Sequence, residues 1–277
     1  MTTLLHLSDT HFGTERADVM EALVRFTHEQ RPNVVVLSGD ITQRARRAQF
    51  AAARHFLDRL AAPATLVIPG NHDIPLFNLP ARLLRPYGNY QRAFGTELEP
   101  SHETHDLLVI CVNTTRARRH KDGELSEQQV ARVAQRLRAA RSEQLRVVVT
   151  HQPVHVTRLE DEENLLHGHR EAVLAWAEAG ADLMLGGHIH LPYVRPLADS
   201  VAGLARPLWC LQAGTAVSHR VRGGIPNSVN LVRYAPTVRS GACIVERWDH
   251  AASTRRFERE SRLEIPLSRG DTPAGRP

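Results

Sequence analysis

Val34-Val35-Val36-Leu37-Ser38-Gly39-Asp40 is the stretch from which the rest of the chain can be read. A short unbroken apolar run that stops at turn residues is the pattern of a strand buried on both faces, as in a parallel sheet covered by helices. Asp40 then falls at the C-terminal mouth of that strand, where α/β sheets bind ligands and where a carboxylate suits a metal. Residues 3–7 read as a preceding strand that delivers Ser8-Asp9-Thr10-His11, and residues 65–68 as a following one that delivers Pro69-Gly70-Asn71-His72-Asp73. Between them, 15–30 and 44–60 have helical period, with Val19, Leu23 and Phe26 inward on the first and Phe50, Phe56, Leu57 and Leu60 on the second. Right-handed crossovers would bring the three strand ends to one edge of one sheet.

Further along, 107–112, 146–150 and 182–185 read as strands; the second leads to His151 and the third to Gly186-Gly187-His188-Ile189-His190. Ser126 and Gln129 have the spacing of a capping box that opens a helix running to about residue 141, and another helix covers 171–179. After His190 the period shifts toward two, and 208–211, 228–234 and 242–247 read as antiparallel strands closing a second sheet. Residues 74–100, broken by prolines, are expected to be an insertion near the site, packed by Tyr87, Tyr90 and Phe94. The expected organisation is one domain over 1–267 followed by a disordered tail at 268–277.

With 277 residues, 42% of them hydrophobic, the chain can bury a full core. Its amino terminus has no basic segment followed by a long apolar run, so neither an export signal nor a membrane span is expected. Cys111, Cys210 and Cys243 sit in apolar, strand-like runs at spacings of neither a zinc site nor a disulfide framework, which predicts reduced core residues and a cytoplasmic protein. The formal charge of +5 would suit a polyanion, but Lys121 is the one lysine among 35 basic residues, an arginine preference that a GC-rich bacterial genome explains without nucleic acid as partner. The run Arg116, Arg118, Arg119, His120 and Lys121 reads as a solvated loop, near enough to the strand ends to meet an anionic substrate.

Taken alone, Asp9-x-His11 carries no weight. The ordered set does: Asp9-x-His11, Gly39-Asp40, Gly70-Asn71-His72-Asp73, His151 and Gly187-His188-x-His190, each after a buried strand. This set resembles the calcineurin-like metallophosphoesterase superfamily over residues 4–190. The resemblance implies an α/β fold, a four-layer αββα sandwich of two mixed sheets flanked by helices. It also implies two divalent cations, the first held by Asp9, His11, Asp40 and His190, the second by Asp40, Asn71, His151 and His188. Two neighbouring cations repel unless an anion lies between them, which fits a shared Asp40. No cysteine takes part, so Mn²⁺ or Fe²⁺ come first and Zn²⁺ is compatible. By the same resemblance His72 stabilises the phosphoryl oxygens or protonates the leaving alkoxide, Asp73 orients it, and a hydroxide bridging the metals attacks. Gly39, Gly70 and Gly187 fit sharp turns where backbone comes close to the metals.

Within the superfamily, Asp rather than Glu at position 73 and the Ser8-to-Phe12 opening look most like bacterial class III cyclic-nucleotide phosphodiesterases, with a small phosphodiester as substrate and a homodimer as an allowed state. Gln43 stands where purple acid phosphatases have a metal-bound tyrosine, which disfavours a purple iron(III) enzyme. A UDP-diacylglucosamine-type pyrophosphatase shares all five motifs, and a non-catalytic scaffold keeps the fold without the histidine. The remaining histidines read as structural or surface groups, apart from His155, His167 and His169, which lie nearer the site in sequence. Thr215, Ser218, His219 and Arg220 are candidates to border the cleft.

Overall fold

The Val34 run is a fully buried strand in the computed structural model, which describes residues 1–236 and 241–268. In chain order the elements are β1 (Thr2–Leu7), α1 (Ala17–Gln30), β2 (Val34–Leu37), α2 (Arg47–Leu60), β3 (Ala64–Val67), α3 (Leu79–Leu84), α4 (Gly88–Phe94), β4 (Ser101–Glu103), β5 (Leu107–Cys111) and α5 (Glu127–Arg138). They continue with β6 (Leu145–Val149), α6 (His169–Glu178), β7 (Leu183–Gly186), β8 (Tyr193–Pro196), β9 (Trp209–Gln212), β10 (Ser228–Tyr234), β11 (Ala242–Ala251) and β12 (Arg256–Pro266). One sheet has the order β12-β11-β10-β1-β2-β3 and the other β4-β5-β6-β7-β9-β8.

The alternation of side chains along β2 shows why it must be apolar throughout. Val35 and Leu37 pack with Phe26 and Phe56 under α1 and α2, while Val34 and Val36 face Val147, Val149 and Leu185 of the other sheet. On the far side, Val148 and Met184 pack with Val133 and Trp176 of α5 and α6. Three apolar seams therefore separate four layers, helix, sheet, sheet and helix, as an α/β sandwich requires. Both sheets are mixed: β1, β2 and β3 run parallel, β10 runs antiparallel to β1, and β4 and β8 flank the parallel strands of the second sheet antiparallel. Cys111 and Cys210 are free and buried, and Cys243 is buried as well.

Some expectations are corrected. Strands β10 and β11 extend the first sheet beside β1 rather than closing the second, and β9 enters the second sheet parallel to β7. Helix α2 begins at Arg47, because Ala45 takes a positive φ of 51° and the Gln49 side chain accepts from the backbone N–H groups of Arg44 and Arg46. Edge strand β12 has no counterpart among the expected strands. Residues 74–100 contain α3 and α4, and Tyr90 of α4 is buried with its hydroxyl donating to the Val67 carbonyl at 2.7 Å. Residues 269–277, nearly all of the expected tail, lie outside the described residues. No helix among the described residues is long and apolar enough to cross a membrane.

Candidate metal centre

The C-terminal ends of β1, β2, β3, β6 and β7 meet across the seam between the sheets. Backbone bonds stitch them together: Asp9 N–H donates to Gly39, His11 N–H to Asp40, and Gly187 N–H to His151, at 3.1, 2.9 and 2.8 Å. Two groups of candidate ligands result, Asp9, His11, Asp40 and His190 in one and Asp40, His151 and His188 in the other, with the ligand atoms of each group within 4.8 Å of one another. Asp40 is common to both. His190 Nε2 lies 3.2 Å from Asp9 Oδ1, and His11 Nε2 lies 3.7 Å from Asp40 Oδ2. On the other side His151 Nε2 is 3.3 Å from both Asp40 Oδ1 and Asn71 Oδ1, so the Asn71 amide joins the second group. All seven residues expected to ligate metal thus converge on one place.

Backbone conformation holds them there. Asp9, His11, Asp40, His188 and His190 have φ between 42° and 75°, a left-handed conformation that side-chain-bearing residues rarely adopt and that clusters where structure is held under strain for function. A Cβ on Gly39, itself at φ 105°, would lie 2.5 Å from His151 Nδ1, and one on Gly187 would overlap Ser8 Oγ. Neither position admits a side chain.

Two backbone carbonyls orient the imidazoles. His151 Nδ1 lies 2.8 Å from the Ser38 carbonyl oxygen and His190 Nδ1 2.6 Å from that of Arg220. A carbonyl only accepts, so each Nδ1 carries a proton and, in the neutral ring, Nε2 turns a lone pair into the centre, as a metal-ligating histidine does. Burial pushes His11 and His188 down to about 3, so both are neutral. Burial alone would lower His151 as well, but the Asp40 carboxylate beside it raises it to about 9. Asp40 would be raised by burial, and its imidazole neighbours, His151 and His72 foremost, reverse this and hold it well below the ordinary carboxylate value. The Asp9 Oδ1, His11 Nδ1 and His188 Nδ1 atoms are buried with no hydrogen-bond partner. Converging lone pairs, an anionic bridge and buried polar atoms without hydrogen-bond partners fit a pair of divalent cations, with O and N ligands and no thiolate.

His72 projects beside this centre, its ring edge-to-face with that of His11 at 4.9 Å, and its Nδ1 donates to the Gln43 carbonyl at 3.1 Å. The expected partnership with Asp73 is not what the structure contains. Asp73 instead accepts from the backbone N–H groups of Ile41, Thr42 and Gly70 and from the Thr42 hydroxyl, at 2.8–3.0 Å. It clamps the loop after β3 to the loop after β2, because four donors already surround its carboxylate. Burial and the nearby Asp40 charge raise its pKa to about 6.

The centre opens into a groove of about 550 Å³ lined by His72, His120, Lys121, Asp161, Arg220 and Arg222 among others. Of the basic run, His120 and Lys121 reach this groove, whereas Arg118 and Arg119 pair with Glu124 and Arg116 bonds Gln129. Arg220 donates to the Gln43 side chain at 2.8 Å, and Arg222 pairs with Asp161 at 2.7 Å. Arg222 lacked any sequence signal. His155 bonds Ser200 and His169 bonds Leu166, and neither lines the groove.

Four layers with carboxylates and imidazoles gathered over the parallel strand ends of two mixed sheets define a metallophosphoesterase fold. The chain belongs to the calcineurin-like phosphoesterase family, whose model matches residues 2–192. A stretch of 83 residues is 39% identical to the glycerophosphodiester phosphodiesterase GpdQ of Enterobacter lignolyticus (strain SCF1), covering 25% of this chain and 29% of that one, so the match spans under a third of the curated relative's length. The fold resembles a purple acid phosphatase, PPD1, from yellow lupin (Lupinus luteus) seeds, with a TM-score of 0.70 at 10% identity over 96% of this chain and 53% of that one. It also resembles a dimetal phosphatase from Danio rerio, with a TM-score of 0.66 at 15% identity over 96% and 99% of the two chains. At such identities these likenesses speak to the fold alone.

Proposed function

We propose that the chain is a dimetal-dependent phosphodiesterase that hydrolyses P–O bonds of small phosphodiesters. The observation that carries this reading is Asp40 standing in both ligand groups at the floor of an open groove. Asp9, His11, Asp40 and His190 would hold one cation, and Asp40, Asn71, His151 and His188 the other. When bound, divalent cations supply Lewis acidity toward the phosphoryl oxygens and an activated water. Mn²⁺ and Fe²⁺ suit the donor set best.

The rest of the chemistry falls to the chain's own groups. Because the Gln43 carbonyl accepts from Nδ1 of His72, only the imidazolium form can donate from Nε2, so His72 is read as the acid that delivers a proton to the leaving alkoxide. Asp73 is read as positioning the loop that carries it. Charge in the groove supports a diester over a monoester: Lys121 is paired with Glu163, and Arg222 with the carboxylates of Glu160 and Asp161, leaving Arg220 on a neutral amide. A monoanionic diester needs less added positive charge than a dianionic monoester.

We read the chain as one phosphoesterase unit over 1–267 acting in a reducing compartment, consistent with the free, buried thiols of Cys111 and Cys210. Two substrate classes come forward, 3′,5′-cyclic nucleotides from the motif resemblance and glycerophosphodiesters from the name of the matched relative. The test is a panel run with the Mn²⁺-loaded protein: bis-p-nitrophenyl phosphate against p-nitrophenyl phosphate, then cyclic nucleotides, glycerophosphodiesters and UDP-linked lipids. Faster turnover of the diester supports the reading, whereas preference for the monoester moves the chain to the phosphatases.

A further inference from the structure

Beyond the cleft, one surface stands out by what it exposes. Of the eight large apolar side chains exposed among the described residues, four lie between positions 77 and 84: Phe77 at 80%, Leu79 at 62%, Leu83 at 79% and Leu84 at 81%. Helix α3 buries none of its residues, so no core contact accounts for its leucines. A monomeric protein rarely leaves such a concentration open without a partner.

The segment is nonetheless built. The Asn78 side chain accepts from the Ala81 N–H at 3.1 Å, Pro80 stands in the first turn, and Arg82 donates to the carbonyls of Pro75 and Arg119 at 3.2 and 2.6 Å. Leu76 and Arg82 also line a small recess shared with His72 and His120, which puts the segment on the lip of the candidate centre.

The two stretches of chain that meet at the patch are basic. Residues 74–96 contain Arg82, Arg85 and Arg92 and no acidic residue, and residues 41–53 contain Arg44, Arg46 and Arg47 and again none, whereas Arg54 is paired with Asp58. Arg44 lies 5.5 Å over the Phe77 ring, tying the two runs together at the apolar patch. Exposed leucines and an aromatic ring set among arginines complement an interface with apolar chains below and anionic headgroups above. A second copy of the chain is the poorer complement, since a twofold contact through this patch would set arginines against arginines.

We infer that the 77–84 lip docks on an anionic lipid surface and so holds the mouth of the candidate centre at the membrane. This goes beyond hydrolysis and stands or falls apart from it. The test is flotation of the full-length, Mn²⁺-loaded protein with vesicles of phosphatidylcholine alone and of phosphatidylcholine with an equal part of phosphatidylglycerol, at low and high salt. Binding is expected to the phosphatidylglycerol vesicles only and to weaken with salt. Leu83→Ser with Leu84→Ser should lower it by about tenfold or more, with an unchanged Tm and unchanged hydrolysis of bis-p-nitrophenyl phosphate. Arg85→Ser, a change at one exposed side chain, should weaken it as well. Failure of the wild-type protein to float, equal binding to neutral vesicles, or variants that bind like wild type would overturn the assignment. A concentration-dependent dimer that the leucine changes dissolve would give the patch to a second copy instead, and would overturn it too.

Discussion

Asp40 Oδ1 accepts the backbone N–H of His72 at 2.9 Å, so the carboxylate common to both ligand groups is tied to the loop that carries the cleft histidine. Asp40→Asn keeps an acceptor oxygen for that N–H and removes the negative charge. Elemental analysis after loading with Mn²⁺ should then show loss of both cations, whereas His190→Ala should lose only one. Equal metal content in Asp40→Asn and wild type would break the assignment of a shared bridge.

His72→Ala removes an imidazole that stands edge-to-face with His11 and belongs to neither ligand group. Turnover of a phosphodiester should fall by roughly 10²-fold or more, the usual scale for a positioned acid, with metal content retained. Unchanged turnover in the metal-loaded variant would refute the role. Because Gln43 supplies its Nδ1 contact through the backbone, Gln43→Ala should leave the His72 geometry in place and cost far less.

Gly39 combines a φ of 105° with a pro-Cβ position 2.5 Å from His151 Nδ1, where a methyl group would push the ring off the Ser38 carbonyl. Gly39→Ala should lower stability by about 1–3 kcal/mol, the scale of a forced backbone outlier, and should weaken the cation on the His151 side first. Thermal melts with and without Mn²⁺ would show this as a smaller metal-induced rise in Tm.

The opening β-α-β-α-β run was legible because a strand covered on both faces must be apolar at every position, and Val34 to Leu37 has no other way to be buried. The ligand residues were legible for a related reason: each follows such a strand, so order along the chain maps onto one edge in space. Which sheet a strand joins is a different matter. Alternation marks β10 and β11 as strands, but their placement beside β1 depends on pairing over more than two hundred residues, such as Thr2 with Tyr234. Edge strand β12 escaped because seven of its side chains in a row are exposed and charged or polar for the most part, which hides any period. Asp73 was misjudged because sequence adjacency to His72 says nothing about which donors a carboxylate finds, and here they come from the β2 loop. The left-handed conformations of Asp9, His11, Asp40, His188 and His190 left no compositional trace, since none is glycine.

Arg220 and Arg222 both line the groove, but only Arg222 is committed to acidic partners. Arg220→Ala should raise KM for a phosphodiester by about tenfold with kcat little changed, as loss of a charge-assisted contact made equally in ground and transition states would. The Arg220 carbonyl that fixes His190 survives the change, so metal content should not move. Arg222→Ala should shift KM less, and the reverse order of effects would show that the substrate lies on the Asp161 side.

His6 offers a pH test at a buried residue that belongs to neither ligand group. It is buried between the sheets, where its Nε2–H donates to Ser38 Oγ at 2.8 Å and its Nδ1 accepts from the Asn230 amide at 3.4 Å. Burial holds its pKa down at about 3, with the Asp9 charge opposing, against an ordinary value of 6.5. As pH falls below 6.5 the unfolded chain protonates this imidazole and the folded chain does not, until about 3. The contribution of neutral His6 is therefore complete above the upper value and lost through that window, at roughly 1 kcal/mol per pH unit. His6→Gln keeps a donor and an acceptor but cannot titrate. The stability difference between wild type and this variant should thus be constant near neutral pH and shrink, or change sign, as the solution is acidified, because every other titrating group cancels in the comparison. Denaturant melts of the two proteins taken across that range decide it, and parallel curves would mean that the imidazole is hydrated in the folded state rather than sealed between the sheets.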